Sequence, residues 1–224
     1  ELRIAKQTTK DPFSQGGKAT RSSTARHAAA EANEGGIGLI AASGMPFDEL
    51  RYEIQLARKL SPTGIIGINA MVAASGFAGL VKTAIEEGID LIVAGAGFSR
   101  DMFGMGKESG TPIVPIVSSA KLARISEGLG AAAVIVEGNE AGGHLGTDRS
   151  SREIVPEVVA AVKKIPVIGA GGVLEGKDIV EMLRLGASGV QMGSRFAASV
   201  ECNASDELKK MYVRTKKAED VVLI

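Results

Sequence analysis

The stretch "IPVIGAGGVLEGKDIVEMLRLGASGVQMGSRF" (residues 165–196) contains one complete repeat of the pattern that decides the fold. Its first apolar run, "PVIGAGG" (166–172), is short and lacks polar alternation, as is typical of a strand covered on both faces. "EGKDIVEMLRLGA" (175–187) places apolar residues three and four apart, which predicts a helix that ends at Gly186. "GVQMGSRF" (189–196) is a second buried strand. The helix between them returns the chain to the same end, so the two strands are expected to be parallel.

The same alternation of buried strand and amphipathic helix runs through the rest of the chain. Helical periodicity recurs at residues 46–60 and 151–165. Eight βα units in 224 residues predict a TIM (β/α)8 barrel near its minimum size, as one domain over residues 1–224. A doubly wound sheet is the alternative, but no convincing phosphate loop follows the first strand. The predicted strands are residues 11–17, 37–40, 64–70, 90–95, 112–117, 133–138, 166–172 and 189–196.

Charge balance and cysteine content exclude several classes of function. The 26 Lys and Arg residues equal the 26 Asp and Glu residues, so nothing favours nucleic acid or an anionic membrane as the main partner. Cys202 alone forms neither an internal disulfide nor a zinc site, which fits a reducing compartment. The N-terminal residues are too polar for a signal peptide, and no apolar run approaches the roughly 20 residues of a membrane helix. These features predict a soluble cytoplasmic protein.

Glycine clusters at the ends of the predicted strands indicate where a ligand would bind. In a TIM barrel the ligand lies at the C-terminal ends of the strands. Gly171 and Gly172 after the seventh strand, and Gly193 and Ser194 after the eighth, provide backbone N–H groups where barrels commonly bind a phosphate. The alternative is that these glycines only turn the chain. Further candidates at the same ends are Gly16, Gly17, Asn69, Gly95, Gly97, Gly142, Gly143 and His144.

His144 is the candidate catalytic residue. It follows two glycines that leave room above the barrel mouth, and an imidazole with a reference pKa near 6.5 exchanges protons near neutral pH. The alternative is a solvated loop histidine without a role. His27 lies on the predicted first helix and is expected at the surface, and Cys202 is expected to be inert.

Three polar side chains near these strand ends leave alternatives open. Asn69 ends an apolar strand, where its amide either donates to a polar heterocycle or caps its own turn. Glu137 and Glu140 flank the segment of His144, where a carboxylate orients the imidazole, binds a ribityl hydroxyl or is simply solvated.

Three motifs together resemble one known family. "EGNEAGGHLG", "IPVIGAGGV" and "GVQMGSRF", in this order and spacing, resemble the FMN-dependent nitronate monooxygenase (2-nitropropane dioxygenase) family. "GGIGLIAASGM" (35–45) and "GINAMV" (67–72) match as well, so the similarity covers nearly the whole chain. The same superfamily contains flavin-dependent enoyl-acyl carrier protein reductases and NADH:quinone reductases. The joint pattern is therefore more specific for the superfamily than for one activity.

The resemblance implies an FMN-bearing barrel that oxidises alkyl nitronates with O2 to carbonyl compounds and nitrite. The catalytic His144 would deprotonate neutral nitroalkanes, while the flavin carries out the redox chemistry. The same barrel could instead reduce an enoyl thioester or a quinone with NAD(P)H, or bind a phosphorylated metabolite without flavin. Its oligomeric state is open, with a homodimer as one alternative. The resemblance places the FMN phosphate at Gly171, Gly172, Gly193 and Ser194, the ring near Asn69, Gly16, Gly17 and Lys18, and Gly142 and Gly143 alongside it.

The chain departs from the family pattern at two places. The first strand reads "DPFSQGGKAT", with Ser14 inside the strand and Lys18 where the family has Met. A lysine there would either stabilise an anionic reduced ring or obstruct the site. Family members usually continue past the equivalent of Ile224 into a helical portion that covers the site, so the chain is expected to lack this C-terminal extension.

Overall fold

A short hairpin precedes eight parallel strands that close into a barrel in the computed structural model, which describes residues 1–18, 21–143 and 146–215. The barrel closes where the last strand pairs with the first, with Val190 opposite Phe13 and Met192 opposite Gln15. Closure confirms the predicted TIM barrel and excludes the doubly wound alternative. The hairpin strands are β1 (Arg3–Ile4) and β2 (Gln7–Thr8), and the barrel strands are β3 (Phe13–Gln15), β4 (Ile37–Ala41), β5 (Ile65–Met71), β6 (Leu91–Gly95), β7 (Ile113–Val117), β8 (Val134–Glu137), β9 (Val167–Ala170) and β10 (Gly189–Met192).

Helices follow the barrel strands as the hydrophobic periodicity predicted. The helix predicted over 151–165 is shorter than expected, because Val162 is already extended and Glu127 Oε1 accepts hydrogen bonds from the N–H groups of Lys163 and Lys164. In the described part of the chain, no helix is long and apolar enough to cross a membrane. The helices are α1 (Ala25–Asn33), α2 (Phe47–Leu60), α3 (Phe77–Glu86), α4 (Asp101–Ser109), α5 (Ala120–Leu129), α6 (Ser151–Ala161), α7 (Gly176–Arg184), α8 (Ser194–Ala197) and α9 (Asp206–Arg214).

The N-terminal hairpin, which the sequence did not predict, packs against the barrel interior. Leu2 and Ile4 are each 1% exposed and pack in one cluster with Leu39, Leu91 and Ile135 of the strands. Because the ligand end of a TIM barrel is built from the loops that follow the strands, a hairpin ahead of β3 leaves that end open.

The first barrel strand, β3, is polar, and its Ser14 and Gln15 side chains donate hydrogen bonds to carbonyl groups of the neighbouring strand, β4. Ser14 Oγ donates to the carbonyl of Ile37 at 3.1 Å, and Gln15 Nε2 donates to the carbonyl of Leu39. These hydrogen bonds supplement the backbone pairing of β3 with β4, which is short. Buried polar groups are tolerated when they are hydrogen-bonded, so "DPFSQGG" forms a strand despite its composition.

The expectation that His27 lies at the surface is wrong. His27 is 2% exposed, and its ring centroid lies 6.3 Å from that of Phe196. The buried residues of α1 include several alanines, such as Ala28, together with His27. Cys202 is also buried, and its Sγ donates to the carbonyl of Ser22.

Candidate functional site

A cavity of about 440 Å³ lies at the C-terminal ends of the barrel strands. Its volume is within the usual range of small-molecule and cofactor sites. Every residue that the sequence assigned to the cofactor lines it, so the structure brings that set together, although its binding role stays a prediction. Gly95 also lines the cavity, whereas Gly97 does not. The assigned residues are Gly16, Gly17, Lys18, Asn69, Gly142, Gly143, Gly171, Gly172, Gly193 and Ser194.

The segment that carries the candidate catalytic residue is described only in part. Gly142 and Gly143 line the cavity, and a Cβ added at either would meet nothing within 4 Å. His144 lies outside the described residues. Its catalytic role therefore stays a prediction, supported by the position of the two glycines before it.

The loop after β9 needs both of its glycines. Gly171 and Gly172 have φ values of 98° and 64°, in the left-handed region that favours glycine. A Cβ at Gly172 would also lie 2.8 Å from Arg152 Nη1, and one at Gly171 would lie 3.1 Å from the backbone nitrogen of Ala141. The loop thus combines an unusual backbone conformation with close neighbours, which is more than a simple turn requires.

Two polar side chains reach the cavity from the inside of the barrel wall. The sequence predicted that Asn69 ends its strand. In the structure Asn69 lies within β5, two residues before the strand ends, and it lines the cavity. Gln191 on β10 was missed: it is 6% exposed, lines the cavity, and its Oε1 has no hydrogen-bond partner in the described structure. A single polar residue inside an otherwise apolar strand was the available signal in both cases. A buried, unpartnered amide oxygen is costly without a ligand or water to satisfy it.

Glu137 and Glu140 lie in different environments. Glu137 ends β8 and faces the cavity, where burial raises the pKa of its carboxyl to about 7. Glu140 is partly desolvated, but hydrogen bonds from Ser150 Oγ and from the N–H of Ser151 lower the pKa of its carboxyl. Of the two carboxyl groups, only that of Glu137 has a raised pKa. Glu140 instead links the loop after β8 to the start of α6.

Lys18 lines the cavity, but its ammonium is bound by the chain itself. Nζ donates to Gln15 Oε1 at 2.8 Å and to the carbonyl of Gly16 at 3.0 Å. Desolvation by burial lowers the pKa of Lys18 to about 8, with opposing contributions from Cys202 and Glu31. Both alternatives drawn from the sequence place this charge towards a bound ring, whereas its hydrogen bonds direct it to the end of β3 and the residue that follows.

The cavity fits a flavin mononucleotide in the kinds of groups that it presents. Left-handed glycines in the lining present backbone that no side chain covers, and Gln191 Oε1 has no donor among the described residues. Apolar side chains complete the lining, which suits an aromatic ring system. Among the residues that the structure describes, no cluster of His, Cys, Asp and Glu is arranged to hold a metal ion. The apolar lining includes Met71, Ile116, Ala170, Val173 and Leu174.

Comparisons with known proteins agree with this geometry. A family model described as nitronate monooxygenase matches residues 66–224. A (3aS,4S,5R,7aS)-5-hydroxy-7a-methyl-1-oxo-octahydro-1H-indene-4-carboxyl-CoA dehydrogenase of Mycobacterium tuberculosis is 33% identical, over 85% of this chain and 54% of that protein. The chain thus spans about half the length of that curated relative.

Two solved structures share the fold closely. FabK from Thermotoga maritima superposes with a TM-score of 0.88 at 38% identity, covering 92% of this chain and 65% of that one. A nitroalkane oxidase from Streptomyces ansochromogenes superposes with a TM-score of 0.82 at 25% identity, covering 90% of this chain and 70% of that one.

Proposed function

The chain belongs to the nitronate monooxygenase family, whose members are flavin-dependent oxidoreductases, and on this premise we propose that it is an FMN-dependent nitronate monooxygenase. Its substrates would be alkyl nitronates and O2, and its products carbonyl compounds and nitrite. The observation that carries the proposal is the convergence of all the residues assigned to FMN on one cavity at the ligand end of the barrel. That convergence joins loops that are up to 178 residues apart in sequence, from Gly16 to Ser194.

In this proposal the backbone holds the phosphate and polar side chains hold the rest of the cofactor. Gly171 and Gly172 would bind the phosphate together with Gly193 and Ser194, since all four line the same cavity. Asn69 and Gln191 would supply an amide to polar groups of the cofactor. The Glu137 carboxyl, with a pKa of about 7, is neutral in slightly acidic solution and could then donate a hydrogen bond to a hydroxyl group.

The protein itself contributes positioning and proton transfer. A bound flavin would supply the redox chemistry between the substrate and oxygen. His144 would take the proton from the carbon of a neutral nitroalkane, which produces the nitronate within the site. Preformed nitronate has already lost this proton and would not need the histidine. The apolar lining around Met71 and Ile116 would keep water from the reacting atoms.

A second candidate is reduction of an enoyl thioester or a quinone with NAD(P)H on the same flavin barrel. It is favoured by the 33% identity to a dehydrogenase of a carboxyl-CoA thioester and by the 38% identity to FabK. In this reaction His144 would assist at the carbonyl side of the substrate. The third candidate, a flavin-free barrel that binds a phosphorylated metabolite, uses the same phosphate loops without redox chemistry.

Anaerobic mixing separates these candidates. The purified chain, loaded with FMN, is mixed with a nitronate or with NADH or NADPH while the flavin absorbance is followed. Bleaching by the nitronate supports the monooxygenase, whereas rapid bleaching by a reduced nicotinamide supports the reductase. Protein that stays colourless after incubation with FMN would exclude both and leave the flavin-free barrel.

A further inference from the structure

Arg152, which no sequence motif identified, binds the loop after β9 through the carbonyl groups of that loop. It lies in the first turn of α6, and its side chain is 26% exposed. Nη1 donates to the carbonyl of Gly171 and Nη2 to the carbonyl of Gly172, both at 3.0 Å. The planar guanidinium suits this arrangement, because its donors point in fixed, diverging directions.

The direction of these two carbonyls determines the direction of two N–H groups. In a planar trans peptide the carbonyl of one residue and the N–H of the next point to opposite sides. With the carbonyls of Gly171 and Gly172 turned to Arg152, the N–H groups of Gly172 and Val173 point away from the guanidinium. Both residues line the cavity, and within the described chain neither N–H takes part in a hydrogen bond of the loops or helix caps. These donors are therefore available to a ligand in the cavity.

Neighbouring side chains fix the guanidinium in place. Glu181 Oε2 on α7 accepts from Nε at 3.2 Å and from Nη2 at 3.1 Å. Ser151 Oγ adds a hydrogen bond to the carbonyl of Gly171 at 3.3 Å, and Glu140 accepts from the N–H of Ser151 at 3.0 Å. Residues of α6 thus bind the loop directly, and Glu181 of α7 fixes the guanidinium that does so. Two successive left-handed glycines would otherwise have wide conformational freedom.

We propose that Arg152 is a positioning residue for the cofactor phosphate: it orients the backbone of residues 171–173 so that two N–H groups face the cavity. This inference rests on the proposed function, since it takes the phosphate of FMN as the ligand of those donors. Arg152 does not itself line the cavity, so it acts through the loop. Its positive charge, placed at the carbonyl side, also polarises both peptides and strengthens their N–H groups as donors.

A comparison of FMN with riboflavin tests this role, because the two flavins differ only in the phosphate. The dissociation constants of both are measured by quenching of flavin fluorescence for the wild-type chain, R152Q, R152K and R149Q. Arg149 is the matched control, since it lies just before α6 and pairs with Glu153 and Glu157 without touching the loop. Thermal unfolding of each apoprotein checks that the variants are folded.

R152Q should weaken FMN binding roughly tenfold to hundredfold, the range expected for losing hydrogen bonds to a charged group. Its riboflavin affinity should stay within about twofold of wild type, and R149Q should change neither. R152K keeps the charge but not the two diverging donors, so its FMN affinity should lie between those of wild type and R152Q.

Equal weakening of both flavins by R152Q would show a general structural role and overturn the inference. An R152Q chain or an R152K chain with wild-type FMN affinity would overturn it as well. In these cases the wild-type chain still binds FMN, so the proposed function stands. A wild-type chain that binds neither flavin would instead overturn the proposed function, and this inference with it.

Discussion

A Cβ atom added to Gly17 would overlap Cβ of Asn69 and lie 2.9 Å from its Cγ. Gly17 belongs to the loop after β3, and Asn69 is inside β5, so this contact joins two walls of the cavity. The glycine is needed for the space that it leaves. The backbone of Gly17 is not left-handed, so its conformation would allow other residues. Only the overlap with the Asn69 side chain would exclude them.

Gly17→Ala should therefore destabilise the chain by about 1–3 kcal/mol, as overpacking typically does. Urea unfolding measures the change, and Gly142→Ala is the matched control because its Cβ would meet nothing within 4 Å. The double variant Gly17→Ala/Asn69→Gly removes the overlapping atom. It should lose clearly less stability than the sum of the two single variants. Additive losses would show that the contact with Asn69 is not the cause.

His27 should make the folded chain less stable as the solution becomes acidic. Desolvation by burial, and then the charge of Lys18, lower the pKa of His27 from 6.5 to about 4. The unfolded chain takes up this proton near pH 6.5 and the folded chain only near pH 4, so the free energy of unfolding falls as pH drops through that interval. The slope is at most ~1.4 kcal/mol per pH unit.

His27→Leu removes this titration while keeping the position apolar and filled. The free energy of unfolding of the variant, relative to that of wild type, should therefore increase as the pH is lowered from 6.5 to 4. Denaturant unfolding at several pH values measures this difference. A difference that does not vary with pH in this interval would contradict the buried, neutral state of His27.

Glu137 should produce the opposite pH dependence. Burial raises the pKa of its carboxyl from 4.5 to about 7, so the folded chain keeps the proton to higher pH than the unfolded chain. The stability that this gives is present below pH 4.5 and is lost as pH rises to about 7. Glu137→Gln should remove the loss, which we expect to total roughly 1–3 kcal/mol.

The measurement is the difference in unfolding free energy between the Glu137→Gln chain and wild type from pH 4.5 to pH 7. Glu153→Gln, on the exposed side of α6, is the control for removing a carboxylate. A difference that stays constant over this range would show that Glu137 is hydrated like a surface residue.

The sequence predicted the barrel well, because its signals are local. Most strands are continuous Val- and Ile-rich runs with glycines at their C-terminal ends. Both the strand count and the end of the barrel that carries the cavity could therefore be predicted from short segments such as residues 166–172. Glycines that line the cavity, such as Gly171 and Gly193, were identified from the same placement, and their binding role stays a prediction.

Features that depend on distant contacts could not be predicted in this way. Ile4 belongs to the two-residue strand β1, and Leu2 lies directly before it. This segment is too short to show a hydrophobic periodicity, and only its packing against the barrel reveals its role. The burial of His27 involves packing against Phe196, which lies 169 residues further along the chain. Arg152 looks like an ordinary charged residue in the first turn of a helix, and its partners lie 19 and 20 residues further along the chain.

His144→Ala should distinguish proton transfer from binding in the proposed reaction. The variant should keep FMN but turn over neutral nitroalkane about 10²–10⁴-fold more slowly, the usual contribution of general base catalysis. Turnover of preformed nitronate should fall far less, because that substrate has already lost the proton. Oxygen uptake with each substrate measures both rates. Equal losses for the two substrates would argue against a proton-abstracting role.

The central claim, that the cavity is a flavin mononucleotide site whose phosphate is bound by backbone groups, is tested most directly by titrating the wild-type chain. FMN and riboflavin are added separately, and the flavin spectrum gives stoichiometry and affinity. We expect one FMN per chain, bound at least about tenfold more tightly than riboflavin, as expected when a phosphate gains charge-assisted hydrogen bonds. Equal affinities for the two flavins, or no binding of either, would contradict the account.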